Sequence, residues 1–342
     1  MPHLFGLHSC LRVGAPDGFD HVPGESTVKL SSSAATGIAD GRITIIVPVN
    51  NRIVLARPVF TALAREIAED GDAEVVVVNQ MSSDGVDDIA RSAGFTVIDS
   101  HAETAGGLRN VGVRGSHSTW LCFVDSDVLV PVGYLRRLRE ALAAYPDDLL
   151  GCNYGLPLET TWTERNWHLL TYEAGSGARR WLNAGNIALN RTLFDRSGGF
   201  DESLTSGEDT EFCSRVLLHG SAVRQLESLT AAHLGNPKSL RSFFGKQIWH
   251  GQGASITNGN SLAALGHGAA LLISVAILLI TRLNVAVSVG VLLMANAIPL
   301  AAWMHLKRKR GNNASLLASV ANLHCYFLAR FVALFVRSGR QR

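Results

Sequence analysis

Leu121-Cys122-Phe123-Val124-Asp125-Ser126-Asp127-Val128 is an apolar run that closes on two carboxylates one residue apart. β-Branched and aromatic side chains in an unbroken run of this length read as a buried strand. Side chains alternate along an extended backbone, so Asp125 and Asp127 are expected to point the same way where the strand leaves the sheet. Two acids so placed crowd negative charge, and a hard divalent cation bridging to a phosphate would offset it. The alternative is two solvated turn acids after a strand.

Upstream, Ile43-Thr44-Ile45-Ile46-Val47-Pro48 and Ala73-Glu74-Val75-Val76-Val77-Val78 are further apolar strands, with a helix-compatible stretch from Val54 to Glu69 between them. A helix over Asp84 to Ser92 and a strand over Phe95 to Ile98 follow. Continuous rather than alternating apolar strands belong in a sheet covered on both faces. Strand, helix, strand, helix, strand therefore predicts βαβ units and a mostly parallel sheet flanked by helices. Ligands bind such sheets beyond the carboxyl ends of the strands, here Pro48 to Asn50, Asn79 to Asp84 and Asp125 to Asp127. Gly106-Gly107-Leu108-Arg109 offers close backbone approach and a guanidinium near a helix start, suited to a phosphate or to a plain structural turn. Downstream, Leu182 to Leu189 reads as a strand entered through a Gly turn, Arg191 to Arg196 as a short helix, and Thr210 to His219 as a helix with Glu208 and Asp209 at its first turn.

At 342 residues and 47% hydrophobic content, the chain can bury one large α/β core with apolar sequence to spare. A net charge of +2, with basic residues gathered near the C-terminus, argues against a nucleic-acid binder and for a membrane surface. The five cysteines, Cys10, Cys122, Cys152, Cys213 and Cys325, are scattered without C-x-x-C spacing, which gives no case for a disulfide framework or a zinc site.

Taken in order, P-V-x-N (Pro48 to Asn51), S-S-D-G (Ser82 to Gly85), G-x-R-N-x-G (Gly107 to Gly112), V-D-S-D (Val124 to Asp127), A-G-N (Ala184 to Asn186), G-G-F-D-E (Gly198 to Glu202) and E-D (Glu208, Asp209) resemble the family 2 glycosyltransferases of the GT-A fold. The resemblance implies a nucleotide-diphosphate sugar donor over the first half and a lipid-linked or saccharide acceptor over the second. It implies donor contacts at Pro48, Asn50, Asn79, Asp84, Arg109 and Asp125, and Mg²⁺ or Mn²⁺ held by Asp125, Asp127 and His233. It also implies an inverting displacement with Asp209 as the base, and sugar contacts at Gly185, Asn186, Glu208 and Trp249. Asn50 stands where the family usually has an aromatic residue, Asn79 where it has an acid, and Gln80 where it has Asp or Asn. Lys246 to Gly251 resembles an incomplete Q-x-x-R-W signature, since no arginine precedes Trp249, and this favours transfer of one sugar per encounter.

Leu262 to Ile280 and Val285 to Trp303 are each about long enough to cross hydrocarbon as a helix, and the four residues between them allow only a hairpin. Lys307-Arg308-Lys309-Arg310 follows directly, which by the positive-inside bias places it and the catalytic domain in the cytoplasm. Leu316 to Val336, interrupted by His324 and Arg330, reads as an amphipathic helix in the headgroup region. The expected organisation is a flexible tail over 1–41, a GT-A domain over 42–258, a transmembrane hairpin over 261–304, and a basic, interfacial segment over 305–342. Two rival functions share parts of this pattern. A non-catalytic sugar-nucleotide or glycan-binding membrane scaffold would fit the asparagines at 50 and 79 but has no need of Asp209. A nucleotidyltransferase would carry a Gly-rich basic loop after the first strand, and Asn50-Asn51-Arg52 is not one.

Overall fold

The computed structural model describes residues 41–252, 259–280, 285–310 and 314–336; the expected tail, up to residue 40, and the hairpin turn at 281–284 lie outside them. The first half alternates β1 (Ile43–Val49), α1 (Ile53–Asp70), β2 (Ala73–Asn79), α2 (Val86–Ser92), β3 (Thr96–Asp99), α3 (Ala105–Arg114) and β4 (Trp120–Val124). All seven residues of β1 are buried, and its side chains alternate between two apolar clusters: Ile43, Ile45 and Val47 on one face, Ile46 on the other. Helix α1 buries Ala56, Val59, Phe60 and Leu63 at helical spacing, and stops at Gly71, whose φ of 74° admits the left-handed turn.

The second half runs β5 (Val128–Leu129), α4 (Tyr134–Ala144), β6 (Leu149–Gly151), α5 (Trp162–Thr171), β7 (Gly177–Arg179), β8 (Asn186–Asn190), α6 (Arg191–Arg196), α7 (Glu208–Leu218), β9 (Val223–Gln225), β10 (Ala232–His233) and α8 (Leu240–Gln252). The main sheet has the order β3-β2-β1-β4-β8-β6-β9-β7. From β3 to β4 every pairing is parallel, as the sequence predicts; β8 then joins antiparallel to both β4 and β6, so the sheet as a whole is mixed. On the side of α3, α6 and α7, Phe123, Phe194, Phe200 and Phe212 pack ring against ring with centroids 4.6 to 6.0 Å apart.

Three elements differ from expectation in ways that matter below. The strand carrying the paired acids ends at Val124, and Asp125 to Asp127 form a turn closed by the Val128 amide donating to the Asp125 carbonyl at 2.9 Å. A turn breaks the two-residue alternation, so Asp125 and Asp127 meet different partners. The strand expected over Leu182 to Leu189 is entered through its glycine turn, but that turn takes up Asn183 to Gly185, so the strand itself starts only at Asn186. Arg109 lies in the middle of α3 rather than at its start.

At the C-terminal end, α9 (Gly259–Ile280) and α10 (Val285–Arg310) cover the two expected spans, and α11 (Leu316–Ala333) packs against α5, α8, α9 and α10. Trp167, Phe243, Leu323, Tyr326 and Phe327 anchor this third apolar cluster. Among the described residues, α11 is the one helix long and apolar enough to cross a membrane, with 39% of it buried inside the protein; Leu262–Ile277 is a shorter apolar helix.

Candidate active site

The carboxyl ends of β1 and β4, the first turn of α7 and the start of α8 surround a cleft of about 1410 Å³. Helix α3 organises it. Gly112 lies so close to β1 that an added Cβ would run into Ile46, and Asn110 holds the Phe200 backbone by donating to its carbonyl at 2.8 Å and accepting from its amide at 3.0 Å. That clamp docks the Gly198–Glu202 loop on α3 and brings α7 over the end of β4. The buried Arg109 then joins the two: one terminal nitrogen donates to Asp125 at 2.7 Å and the other to Glu208 at 2.9 Å, with its guanidinium 5.4 Å from the Phe200 ring centre. Burial alone would lower the Arg109 pKa, but the two carboxylates outweigh it and hold the group above its ordinary value.

Asp127 is buried. Arg52 donates to one of its oxygens at 2.6 Å, and His233 Nε2 lies 3.4 Å from the other. Burial works to raise the Asp127 pKa; His233 first, then Arg52 and Lys246, overcome it and bring the carboxyl down to about 2. His233 reaches this position because β10 pairs antiparallel with β5, setting His233 opposite Val128, just past the acids. Its ring stacks on Tyr154 at 4.7 Å. The Asn236 amide nitrogen donates to the His233 carbonyl at 3.0 Å, leaving the Asn236 oxygen to accept from Nδ1 at 2.7 Å. The hydrogen-bond network therefore places a ring proton on Nδ1 and aims Nε2 at Asp127.

A carboxylate and an oriented imidazole are suitable ligands for a divalent ion of the Mn²⁺ type. Among the described residues no group of three or more His, Cys, Asp or Glu side chains could hold an ion alone. The fit is thus a partial shell that ligand oxygens would complete, as happens with Mg²⁺ and Mn²⁺ on phosphates. Asp125 sits beside it with its oxygens already engaged by Arg109 and by the Tyr154 hydroxyl, at 3.2 Å. A Cβ at Gly185 would overlap the Asp125 carboxyl and the Tyr154 hydroxyl, which accounts for the glycine of A-G-N.

Across the cleft, half-buried Asp209 accepts from the Thr210 amide at 2.7 Å. Burial first, and the negative Glu208 next, raise its carboxyl to about 7 despite the helix N-terminus and the Thr210 contact. Glu208, Asp209, Asp125, Asp127 and His233 all line the same cavity. So do Pro48, Asn50, Gly185 and the half-exposed Trp249.

Four expected contacts are corrected. Asn186 is fully buried; its amide donates to the Cys152 and Leu229 carbonyls and accepts from the Tyr134 hydroxyl, so it braces β8 and cannot meet a sugar. Asp84 accepts from the amides of Ile53 and Val86, tying the starts of α1 and α2 together away from the cleft. Asn79 is buried between Asp99 and the Ser82 amide and does not line the cavity. Arg109 has its fork filled by two carboxylates and does not offer it to a phosphate. Conversely, sequence reasoning missed Arg52, Tyr154 and Asn236 as partners of the acids and of His233. Arg52 was visible at the end of β1, while nothing local marks the other two, which depend on distant strand pairings.

The family model described as glycosyl transferase family 2 matches residues 44–200. These residues are a family 2 glycosyltransferase domain. Relatives agree with that assignment. A validoxylamine A glucosyltransferase of Streptomyces hygroscopicus subsp. limoneus is 26% identical over 218 residues, 52% of this chain and 48% of its own length. The uncharacterized glycosyltransferase EpsJ of Bacillus subtilis is 25% identical over 217 residues, 58% of this chain and 62% of its own. The chain thus spans about half to three fifths of the length of these relatives. Among solved structures, the mannosyltransferase PcManGT of Pyrobaculum calidifontis, in complex with GDP-Man and Mn²⁺, superposes with a TM-score of 0.53 at 17% identity, covering 85% of this chain and 86% of its own. That likeness shows a shared fold.

Proposed function

We propose that this chain is an inverting, metal-dependent glycosyltransferase that moves a sugar from a nucleotide-diphosphate donor to an acceptor hydroxyl at a membrane surface. The observation that carries the reading is one cleft holding Asp127 with an oriented His233 on one wall and Asp209, raised to about 7, on the other. The donor lies over the ends of β1 and β4, where Arg52 offsets the charge of its diphosphate. Asp127 and His233 would hold Mn²⁺ or Mg²⁺, which would supply stabilisation of negative charge on the departing diphosphate. Arg109 holds the Asp125 and Glu208 side chains in place through its two ion pairs.

Asp209 takes the proton of the acceptor hydroxyl. The acceptor oxygen bonds to the anomeric carbon from the face opposite the leaving group, and the electron pair of the breaking carbon–oxygen bond leaves with the nucleotide diphosphate. One displacement inverts that carbon. A scaffold would have no use for a carboxylate held near neutrality, because a base poised at working pH serves proton transfer and not binding. Helices α9 and α10 enter the bilayer as a hairpin, and α11 lies at headgroup level against α5 and α8. Lys307, whose ammonium is 4.8 Å from the Trp303 ring, begins the basic end on the cytoplasmic side, shared with the domain.

The full chain in detergent with Mn²⁺ should release nucleotide diphosphate from at least one member of a nucleotide-sugar panel, with the anomeric configuration of the product opposite to the donor by NMR. No turnover and no binding of any donor, together with unchanged behaviour of Asp127→Asn, would overturn the reading.

A further inference from the structure

The cleft does not stop at the carboxylates. It continues between α5, α8 and α11, where its lining turns to Trp167, Phe243, Leu306, Tyr326 and Leu334. Into this apolar stretch project three nitrogen groups from two helices: Lys246 and His250 of α8 and Arg330 of α11. The helices cross at Gly251, where an added Cβ would collide with Ala333 and stand 3.5 Å from a terminal nitrogen of Arg330. Only a glycine lets α11 bring that guanidinium against α8, the helix that lacks an arginine beside Trp249. Arg330 lies 5.4 Å from the Tyr326 ring centre, and its buried Nε has no hydrogen-bond partner among the described residues.

Lys246 and Arg330 form no ion pair with any carboxylate among the described residues, although Asp127 is close enough for Lys246 to feel its charge. His250 lines the same stretch of the cleft. Burial first, then Lys246 and Arg330, push its pKa down to about 3, so at neutral pH it stands uncharged, able to donate one ring N–H. Two half-buried cations lining one cleft, with no ion-pair partner among the described residues, favour an anionic ligand. A planar guanidinium with an ammonium and an imidazole matches phosphate oxygens. The apolar walls call for a hydrocarbon chain on the same molecule.

We propose that Lys246, His250 and Arg330 form a phosphate subsite for an acceptor carried on a lipid phosphate, its chain running along Leu306, Tyr326 and Leu334 toward the C-terminal helices. This rests on the transferase reading above and names the substrate class of its acceptor side. The phosphate anchors the carrier, and the hydroxyl to be glycosylated extends up the cleft to Asp209.

The test uses the full chain in uncharged detergent and follows tryptophan fluorescence, since Trp167 and Trp249 line the cavity. The probes are farnesyl phosphate, farnesol and inorganic phosphate. Farnesyl phosphate should bind at least about tenfold more tightly than either partial probe. Arg330→Gln should weaken it by about tenfold and Arg330→Lys by less; His250→Gln, which removes no charge, gives a second variant with a smaller expected loss of about threefold. Equal affinity for farnesol, or farnesyl phosphate binding unchanged in both Arg330→Gln and His250→Gln, overturns the proposal. Inorganic phosphate binding as tightly as farnesyl phosphate would make the ligand a soluble phosphate and overturn the lipid assignment. Nucleotide-diphosphate binding with Mn²⁺ is measured on the same samples and should not change in Arg330→Gln. Its absence from the wild type would count against the transferase reading and not against this subsite.

Discussion

The end of β4 and the first turn of α7 each present a carboxylate to one cavity, and their surroundings drive those carboxylates apart. Asp127 meets Arg52, His233 and Lys246 and falls to about 2; Asp209 meets burial and Glu208 and rises to about 7. The cations that would have served both walls are distributed unequally, because Arg109 spends its fork on Asp125 and Glu208 and leaves Asp209 without an ion-pair partner among the described residues. A carboxylate kept ionised across the physiological range suits ion binding, whereas one poised near working pH suits proton transfer. One residue type thus serves two purposes by placement alone.

The comparison breaks most sharply at Asp209. Asp209→Asn should lower kcat by about 10³-fold while donor binding, followed by thermal shift, stays intact. Next comes the link between the walls. Arg109→Gln leaves Asp125 and Glu208 facing each other without a counter-charge and should cost about 3 kcal/mol of stability, read as a lower melting temperature with no donor present. On the ion-binding wall, Asp127→Asn should weaken Mn²⁺ affinity by about 100-fold in titration calorimetry, with little change in Asp209.

The pH dependence sharpens the contrast further. With Asp209 as the proposed base, kcat/KM should rise as pH passes upward through about 7 and then level. The stability effect has the opposite sign. A carboxyl whose folded pKa exceeds the ordinary 3.8 favours folding when protonated, so the wild type loses stability as pH climbs from about 4 to about 7. Asp209→Asn should therefore melt a few degrees higher than wild type at pH 8, and the gap should close as pH falls toward 4. A gap independent of pH would show that Asp209 is not the group responsible.

Much of the architecture is written locally. The unbroken apolar runs of β1, β2 and β4 can only be strands covered on both faces, and the helical spacing between them forces parallel crossovers. The acids at the end of β4 and at the start of α7 were legible for the same reason: strand ends and helix first turns are marked by changes of pattern. The residues that give those acids their properties were not. Tyr154 and Asn236 reach the site through the bridge from Gly155 to Ala232 and the pairing of β5 with β10, both between segments remote in sequence. Asn186 was misread because an asparagine in a glycine-rich motif looks available, and only the packing of β6 and β8 shows its amide consumed by backbone carbonyls.

The chain by itself determined the alternating strands and helices of the first half and which acids stand at the sheet's edge, because periodicity and turn chemistry act over a few neighbouring residues. The fold decided what those acids are. Their charge depends on which cation or carboxylate lies within a few ångströms, and that is settled only when β5 meets β10, α3 clamps the Phe200 loop and α11 crosses α8 at Gly251.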